Sequence, residues 1–252
     1  MRKALIVLVV MTAAACATTG NGLDKSKVAE GYYNNGLAYF QANNLERASV
    51  EFHRAIQTDS NNKMAFYGLG LICERQDKLA EAERHFKDAI DIDPLFSEAY
   101  NMLGVVASRQ QKWKDALKYF NKAIENKLYA TPHITYLNIG NMYLAQKDYG
   151  KAVDAFRESK RIVNQDYTVY RIGKALLEAG RVREAIIELQ EGVAMAPKNP
   201  EMRLALGQAF LKNGDKRAAL AEFRMAAELA PKTDLGRAAQ DYIATIEKTQ
   251  GK

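Results

Sequence analysis

Two cysteines and three histidines are the side chains of this sequence best suited to chemistry. They are Cys16 and Cys73, and His53, His85 and His133. Such side chains hold zinc or act as nucleophile and base only where several of them come together. No cysteine here has a histidine at metal-ligand spacing, and no two histidines lie one helical turn apart. The sequence therefore predicts no metal, no cofactor and no enzymatic activity.

The composition narrows the class of protein. The chain has 252 residues, of which 48% are hydrophobic and 26% charged, as expected of a folded domain and not of a fibrous or disordered chain. The net charge of +6 is small for this length and does not by itself indicate nucleic-acid binding. A glycine-rich phosphate cradle is absent from the sequence, so no small-molecule substrate is predicted. Binding of another protein is the function class that remains.

One cysteine, Cys16, follows a short apolar segment at the start of the chain. Arg2 and Lys3 precede an apolar run at residues 4–11, and residues 12–15 are small. As a helix, the segment 4–15 would reach about 18 Å, against a hydrocarbon core of about 30 Å. The segment is therefore predicted to be a secretory signal and not a membrane span.

Ala13, Ala14 and Ala15 lead directly into Cys16. This run resembles the lipobox of bacterial lipoproteins, although Ala13 occupies the position where many lipoboxes carry Leu. The resemblance implies a signal peptide at residues 1–15 and acylation of Cys16, since a free terminal thiol would be open to oxidation. The alternative is a soluble periplasmic protein whose leader is cut at the same alanines by ordinary signal peptidase.

Residues 16–28 are predicted to be the lipidated N-terminus and a tether, because they are mostly small and polar. Three acyl chains would exceed the two hydrophobic signals that stable anchoring needs. Ala17 follows the cysteine in place of Asp, which by resemblance to enterobacterial lipoproteins favours the outer membrane. We therefore expect a lipid-anchored protein on the periplasmic face of the outer membrane.

The rest of the chain is built on a repeat of about 34 residues. Six glycines recur at separations of 34, 34, 36, 33 and 34 residues, and each is followed 12 residues later by alanine and 4 further on by Phe or Leu. Glycine inside a helix costs about 1 kcal/mol relative to alanine, so its recurrence predicts a close helix contact. The residues are Gly36, Gly70, Gly104, Gly140, Gly173 and Gly207, then Ala48, Ala82, Ala116, Ala152, Ala185 and Ala219, then Phe52, Phe86, Phe120, Phe156, Leu189 and Phe223.

This spacing resembles the tetratricopeptide repeat over residues 29–233. The resemblance implies an all-α fold, a right-handed superhelical solenoid of six repeats with a C-terminal capping helix. Two irregular places are predicted: Pro132 with two extra residues between units three and four, and a shortened start of unit five that also has Gly192 where alanine is usual. The predicted units are 29–62, 63–96, 97–130, 133–165, 166–199 and 200–233, followed by the capping helix and tail at 234–252.

Function is predicted on the concave surface, where the first helix of each unit lies. Its inward positions are three before, one after and four after the glycine, and many of them are apolar here. Such a groove suits an apolar or amphipathic segment of a partner, although packing against a neighbouring unit is an alternative role for these side chains. In chaperone-type repeats, a clamp that includes asparagines binds the terminal carboxylate of heat-shock-protein tails. The positions of those asparagines hold Leu37, Leu71 and Val105 here, which disfavours such a ligand. The predicted groove residues are Tyr33, Leu37, Phe40, Tyr67, Leu71, Leu137, Asn141 and Leu144.

The combination of leader, tether, six repeats and the proline-containing step resembles the pilotins of type IV pili, the PilF/PilW/Tgl family. The segments 128–133 and 136–140 are most similar to that family. The resemblance implies an outer-membrane lipoprotein that binds a secretin subunit and promotes its outer-membrane localisation and multimerisation. The alternative is a general envelope adaptor for peptidoglycan enzymes or for outer-membrane protein assembly.

Overall fold

The computed structural model describes residues 24–250, with side chains described to residue 248. Cys16, the signal segment and most of the predicted tether lie outside this range. The described residues form thirteen α-helices and no strand, which confirms the all-α class. The helices are α1 (Lys25–Gln41), α2 (Leu45–Thr58), α3 (Lys63–Arg75), α4 (Leu79–Ile92), α5 (Ser97–Arg109), α6 (Trp113–Glu125), α7 (Pro132–Ala145), α8 (Tyr149–Ile162), α9 (Asp166–Glu178), α10 (Val182–Met195), α11 (Pro200–Lys212), α12 (Lys216–Leu229) and α13 (Asp234–Gln250).

The helices pair into six hairpins that stack in chain order. Each helix contacts its hairpin partner most extensively and then the next hairpin along the chain. The last helix, α13, covers the sixth hairpin: Tyr242 stacks on Phe223 with ring centroids 4.6 Å apart, and Ile246 is buried. Within the described range, no helix has both the length and the apolar character that a bilayer span requires.

The recurring glycines allow a large side chain to lie directly on the backbone of the first helix. A Cβ atom placed on Gly104 would lie 2.4 Å from the ring of Phe120, and one placed on Gly173 would lie 2.5 Å from Leu189. Both Phe120 and Leu189 are fully buried. The close approach predicted from the repeat is therefore present in the structure, and glycine is the residue that permits it.

The turn inside each hairpin has one residue with a left-handed backbone at the same position. Gln111, for example, has φ 59°, and the next backbone N–H, that of Lys112, donates to the carbonyl of Ala107 at 2.9 Å. This bond satisfies a carbonyl at the end of the first helix, as in a Schellman motif. The six left-handed residues are Asn43, Asp77, Gln111, Lys147, Gly180 and Gly214.

The two extra residues between units three and four are accommodated in the loop at residues 126–131. Tyr129 is buried there, and its hydroxyl oxygen accepts a hydrogen bond from Thr135 Oγ1 at 3.3 Å. Pro132 begins α7, where a missing backbone N–H costs nothing. A cleft of about 600 Å³ lies between α6, α7 and α8, so the stack departs from regular packing at the junction that the sequence singled out.

The first helix starts earlier than the repeat spacing suggests. It begins at Lys25, four residues before residue 29, where unit one was predicted to begin. The Asp24 carboxylate caps it by accepting a hydrogen bond from the Ser26 backbone N–H at 3.1 Å. In unit five, a Cβ on Gly192 would lie 2.5 Å from the sulfur of Met202, so the side chain of the following unit occupies the space that alanine fills elsewhere.

Candidate protein-binding groove

The first helices of the hairpins line the inner surface of the stack. Successive first helices, such as α1 and α3 or α5 and α7, contact each other, whereas the second helices of neighbouring hairpins do not come as close. The stack therefore curves toward the first helices. All eight residues predicted for the groove lie on these helices and are partly buried.

The two groove tyrosines of the first two units turn toward the packing between helices. The ring of Tyr33 lies 5.8 Å from that of Phe52, and the ring of Tyr67 lies 5.6 Å from Phe86 and 5.3 Å from Phe96. Burial raises the pKa of both tyrosines. Their neutral rings form an apolar floor under this part of the groove.

Leu37 and Leu71 occupy equivalent positions of α1 and α3, one residue after the packing glycine. Leu71 packs partly against the buried cluster around Phe86 and retains exposed surface. Phe40, one turn after Leu37, has the guanidinium of Arg75 4.2 Å from its ring centroid. The N-terminal part of the groove is thus an apolar strip with a cation at one side.

Polar side chains bridge neighbouring first helices along the groove. Arg109 of α5 binds the carboxylate of Glu74 and donates to that of Asp77 at 2.8 Å. Asn138 of α7 donates to the side-chain oxygen of Asn101 at 3.0 Å. These bridges hold adjacent units at a fixed spacing. Further bridges join Arg75 to Asn43, Arg171 to Asn141, Lys212 to the backbone oxygen of Leu177, and Gln208 to Tyr242.

Of the side chains in these bridges, Asn141 is the one that was predicted from the sequence. Arg75, Arg109 and Lys212 recur five residues after the glycine, one position beyond those considered for the groove. A basic residue recurring at that position is the signal that could have identified them. Their contacts with the preceding unit still depend on the spacing of the helices, which the sequence does not specify.

The middle of the groove has a cavity of about 280 Å³ between α5 and α7. Val105, Ser108 and Asn141 contribute to its lining, and Asn141 is the predicted residue among those around it. The Oδ1 atom of Asn141 accepts from Arg171, and its amide N–H groups can donate to backbone carbonyls of an extended peptide.

The other two predicted residues of α7 contribute mainly to packing between helices. Leu137 and Leu144 pack against the buried cluster that contains Phe156 and Ile172. The predicted residues therefore form two groups: the apolar strip on α1 and α3, and Leu137, Asn141 and Leu144 on α7. The first helix of unit three, α5, lies between them.

Cys73 and the three histidines do not form a reactive or metal-binding group in the described residues. Cys73 is buried, and burial raises the pKa of its thiol. His85 is partly buried, and burial lowers its pKa. Within residues 24–248, no three His, Cys, Asp or Glu side chains are grouped so that they could hold a metal ion.

Comparison with known protein families identifies the repeat. A tetratricopeptide repeat model matches residues 33–95 and 170–233, and a second tetratricopeptide repeat model matches residues 96–165. The chain belongs to the tetratricopeptide repeat family. These matches cover the repeats that the glycine spacing predicts for this tetratricopeptide repeat (TPR) protein.

Two solved structures from type IV pilus systems resemble this TPR protein along nearly all of their length. PilW, described as a widely conserved type IV pilus biogenesis factor, is 18% identical with a TM-score of 0.76, over 85% of this chain and 99% of that one. PilF of Pseudomonas aeruginosa is 19% identical with a TM-score of 0.72, over 86% of this chain and 98% of that one. At this identity the likeness establishes the shared fold.

Other TPR proteins are also similar. YrrB, described as a TPR protein with an unusual peptide-binding site, is 17% identical with a TM-score of 0.58, over 75% of this chain and 97% of that one. A curated relative, the human intraflagellar transport protein 88 homolog, is 30% identical over 80 residues. That match covers 29% of this chain and only 10% of the length of the relative.

Proposed function

We propose that this TPR protein is an outer-membrane lipoprotein that binds a secretin subunit and promotes its localisation and multimerisation during type IV pilus biogenesis. The observation that carries the proposal is the extent of the match to PilW: the structural similarity covers 99% of that chain and 85% of this one. Tetratricopeptide repeats occur in many proteins, but their number and the capping helix vary. Agreement over the whole array supports a shared role more strongly than agreement over single repeats.

The lipobox-like sequence ending at Cys16 supports the same proposal from a different direction. Acyl chains on this cysteine would hold the protein at the membrane where a secretin must assemble. Binding in solution would then become binding at a surface, which raises the effective concentration of the captured subunit. We expect a stoichiometric role in which the protein shields apolar secretin surface and delivers it to the bilayer.

The groove supplies the binding surface in this proposal. Its apolar strip on α1 and α3 suits the apolar side chains of a bound segment, and the cavity beside Asn141 suits polar backbone groups. The bridges between first helices keep the groove in one shape before the partner arrives, which lowers the entropy lost on binding.

A general envelope adaptor for peptidoglycan enzymes or for outer-membrane protein assembly is the second candidate. It would share the lipid anchor and the repeats, and YrrB, with its described peptide-binding site, illustrates how broadly such arrays bind peptides. The identity of the captured protein distinguishes the two candidates.

Replacing Cys16 by Ser should separate folding from delivery. The thermal unfolding of the repeats should not change, because Cys16 precedes the first helix. Secretin multimers in the outer membrane should fall severalfold, because the variant cannot be acylated. Membrane fractionation and immunoblotting of heat-resistant multimers measure this, with Cys73→Ser as a control that removes a thiol and leaves the anchor. Unchanged multimers in the Cys16→Ser strain would refute delivery by lipid anchoring.

A further inference from the structure

The two edges of the solenoid differ in composition. All first helices begin at one edge, which also carries the loops between units; we call it the loop edge. They end at the opposite edge, the turn edge, which carries the left-handed turns inside the hairpins. The loop edge comprises residues 59–62, 93–96, 126–131, 163–165, 196–199 and 230–233 with the adjoining helix ends, and the turn edge comprises residues 42–44, 76–78, 110–112, 146–148, 179–181 and 213–215 with theirs.

Exposed apolar side chains are concentrated at the loop edge. Of the nine large apolar residues that are exposed within the described range, six lie in its loops or at adjoining helix ends, and none lies at the turn edge. The remaining three, Val50, Ile187 and Met225, lie within second helices. The six at the loop edge are Leu95, Leu128, Ile134, Ile162, Tyr167 and Met195.

Two of these side chains, Leu95 and Leu128, lie in loops that hydrogen bonds join. Leu95 is 70% exposed and Leu128 is 91% exposed. The side chain of Asn126 donates to the backbone oxygen of Leu95 at 3.0 Å and accepts from the backbone N–H of Leu128 at 3.0 Å. One asparagine side chain therefore joins the backbones of the two loops that carry the exposed leucines.

The described chain enters its first helix at the same edge. The first helix begins at Lys25 on the loop edge, and residues 17–23 separate Cys16 from the first described residue, Asp24. A link of this length that behaved as a flexible chain would have a root-mean-square end-to-end distance of about 15 Å. The turn edge lies farther away by the length of a first helix, about 20 Å for 13 residues. A short tether thus favours contact of the loop edge with the bilayer.

We propose that the loop edge of this protein lies against the bilayer surface and that Leu95 and Leu128 enter its interfacial region. This inference depends on the lipid anchoring in the proposed function. Three observations point to lipid as the occupant: the segregation of exposed apolar side chains, the start of α1 at the same edge, and the short reach from Cys16. The first helices would then lie roughly perpendicular to the membrane, with their N-terminal ends toward it. The groove that they line would face sideways, parallel to the membrane surface.

The turn edge provides the opposing possibility. It carries exposed basic residues, including Lys78, Lys112 and Lys147, which anionic lipid headgroups attract. It also carries Trp113, the single tryptophan of the chain, at the start of α6. This tryptophan is a native reporter of whether the turn edge approaches the membrane.

Quenching of tryptophan fluorescence by brominated lipids tests the orientation. The mature chain beginning at Cys16 is coupled through that thiol to a maleimide lipid, while Cys73 is buried. Vesicles of phosphatidylethanolamine and phosphatidylglycerol, with or without brominated acyl chains, receive either the wild-type chain or a Trp113→Phe, Leu128→Trp variant. We expect the Leu128→Trp fluorescence to be quenched severalfold more strongly than that of Trp113. A Trp113→Phe, Val50→Trp variant controls for exposure on a second helix.

The proposal would be overturned by either of two quenching results or by evidence of a dimer. One quenching result is quenching of Trp113 equal to or greater than that of the Leu128→Trp variant, and the other is no quenching of either. The evidence of a dimer is one in analytical ultracentrifugation that Leu95→Ser with Leu128→Ser dissociates, because the leucines would then join two copies of the chain. Because the lipid is attached chemically, the experiment does not depend on acylation in the cell. Mass spectrometry of the processed terminus tests acylation separately.

Discussion

A variant carrying both Leu37→Glu and Leu71→Glu should bind the secretin subunit about a hundredfold more weakly and remain folded. The two leucines occupy the apolar strip of the groove, at equivalent positions of adjacent first helices. If each leucine contributes about 1.4 kcal/mol, which corresponds to a tenfold change in Kd, the two together account for about a hundredfold loss. Two carboxylates would also have to lose water beside an apolar ligand, which adds to the loss.

Leu37 and Leu71 are expected to contribute less to the stability of the fold than to binding. Both side chains are partly buried, so part of each remains in solvent in the free protein. Complete burial of a leucine contributes about 1.5–3 kcal/mol, and partial burial correspondingly less. Thermal unfolding and isothermal titration calorimetry with the periplasmic part of the secretin measure the two effects on the same preparations.

A matched control uses two exposed apolar residues on second helices. Val50→Glu with Ile187→Glu introduces the same charge at side chains that are 51% and 66% exposed and lie away from the groove. This variant should bind as the wild type does. If the groove variant keeps its affinity and loses several kcal/mol of stability, Leu37 and Leu71 serve packing between units and the proposed binding surface is wrong.

Phe120→Ala should destabilise the array by about 3–5 kcal/mol, the range for removing a buried aromatic side chain. Phe120 is fully buried and lies against Gly104 of the same hairpin. Gly104→Ala should cost about 1–3 kcal/mol, because its Cβ would lie 2.4 Å from the Phe120 ring and the ring would have to move. Urea unfolding followed by circular dichroism measures both changes.

A double-mutant cycle tests whether the contact between positions 104 and 120 causes the loss of stability in Gly104→Ala. Combining Gly104→Ala with Phe120→Leu should cost less than the sum of the two single changes, because the smaller side chain relieves the contact. Gly31→Ala is the control: a Cβ there meets nothing within 4 Å, and alanine should stabilise α1 by up to about 1 kcal/mol. Additive costs at positions 104 and 120, or equal effects at Gly31 and Gly104, would contradict the packing account.

The repeat was predictable because its packing depends on residue size at fixed spacing. Gly104 and Phe120 must both be present for two helices to approach this closely, so the pattern recurs in the sequence. The left-handed backbone conformation in the turns was harder to predict, because Gln111 and Lys147 are not residue types that favour it. Hydrogen bonds from the following N–H groups stabilise the turn in place of glycine.

The groove was predicted less completely than the fold. Positions of Leu37 and Leu71 follow from helical periodicity, which is a local property of the chain. Arg109 and Arg171 bridge to residues about 30 positions earlier, and such contacts depend on how the hairpins stack. The arrangement of Leu95 and Leu128 at one edge likewise depends on topology, because neither loop alone indicates where α1 begins.

Site-specific photo-crosslinking in living cells tests the central claim most directly. A photoreactive phenylalanine analogue replaces Leu71 in the groove or, as the control, Ile187 on a second helix. If the groove binds the secretin subunit, position 71 should form a covalent adduct with it and position 187 should form none. An adduct from position 71 with a peptidoglycan enzyme or an outer-membrane assembly protein, or equal labelling of the secretin from both positions, would contradict this binding.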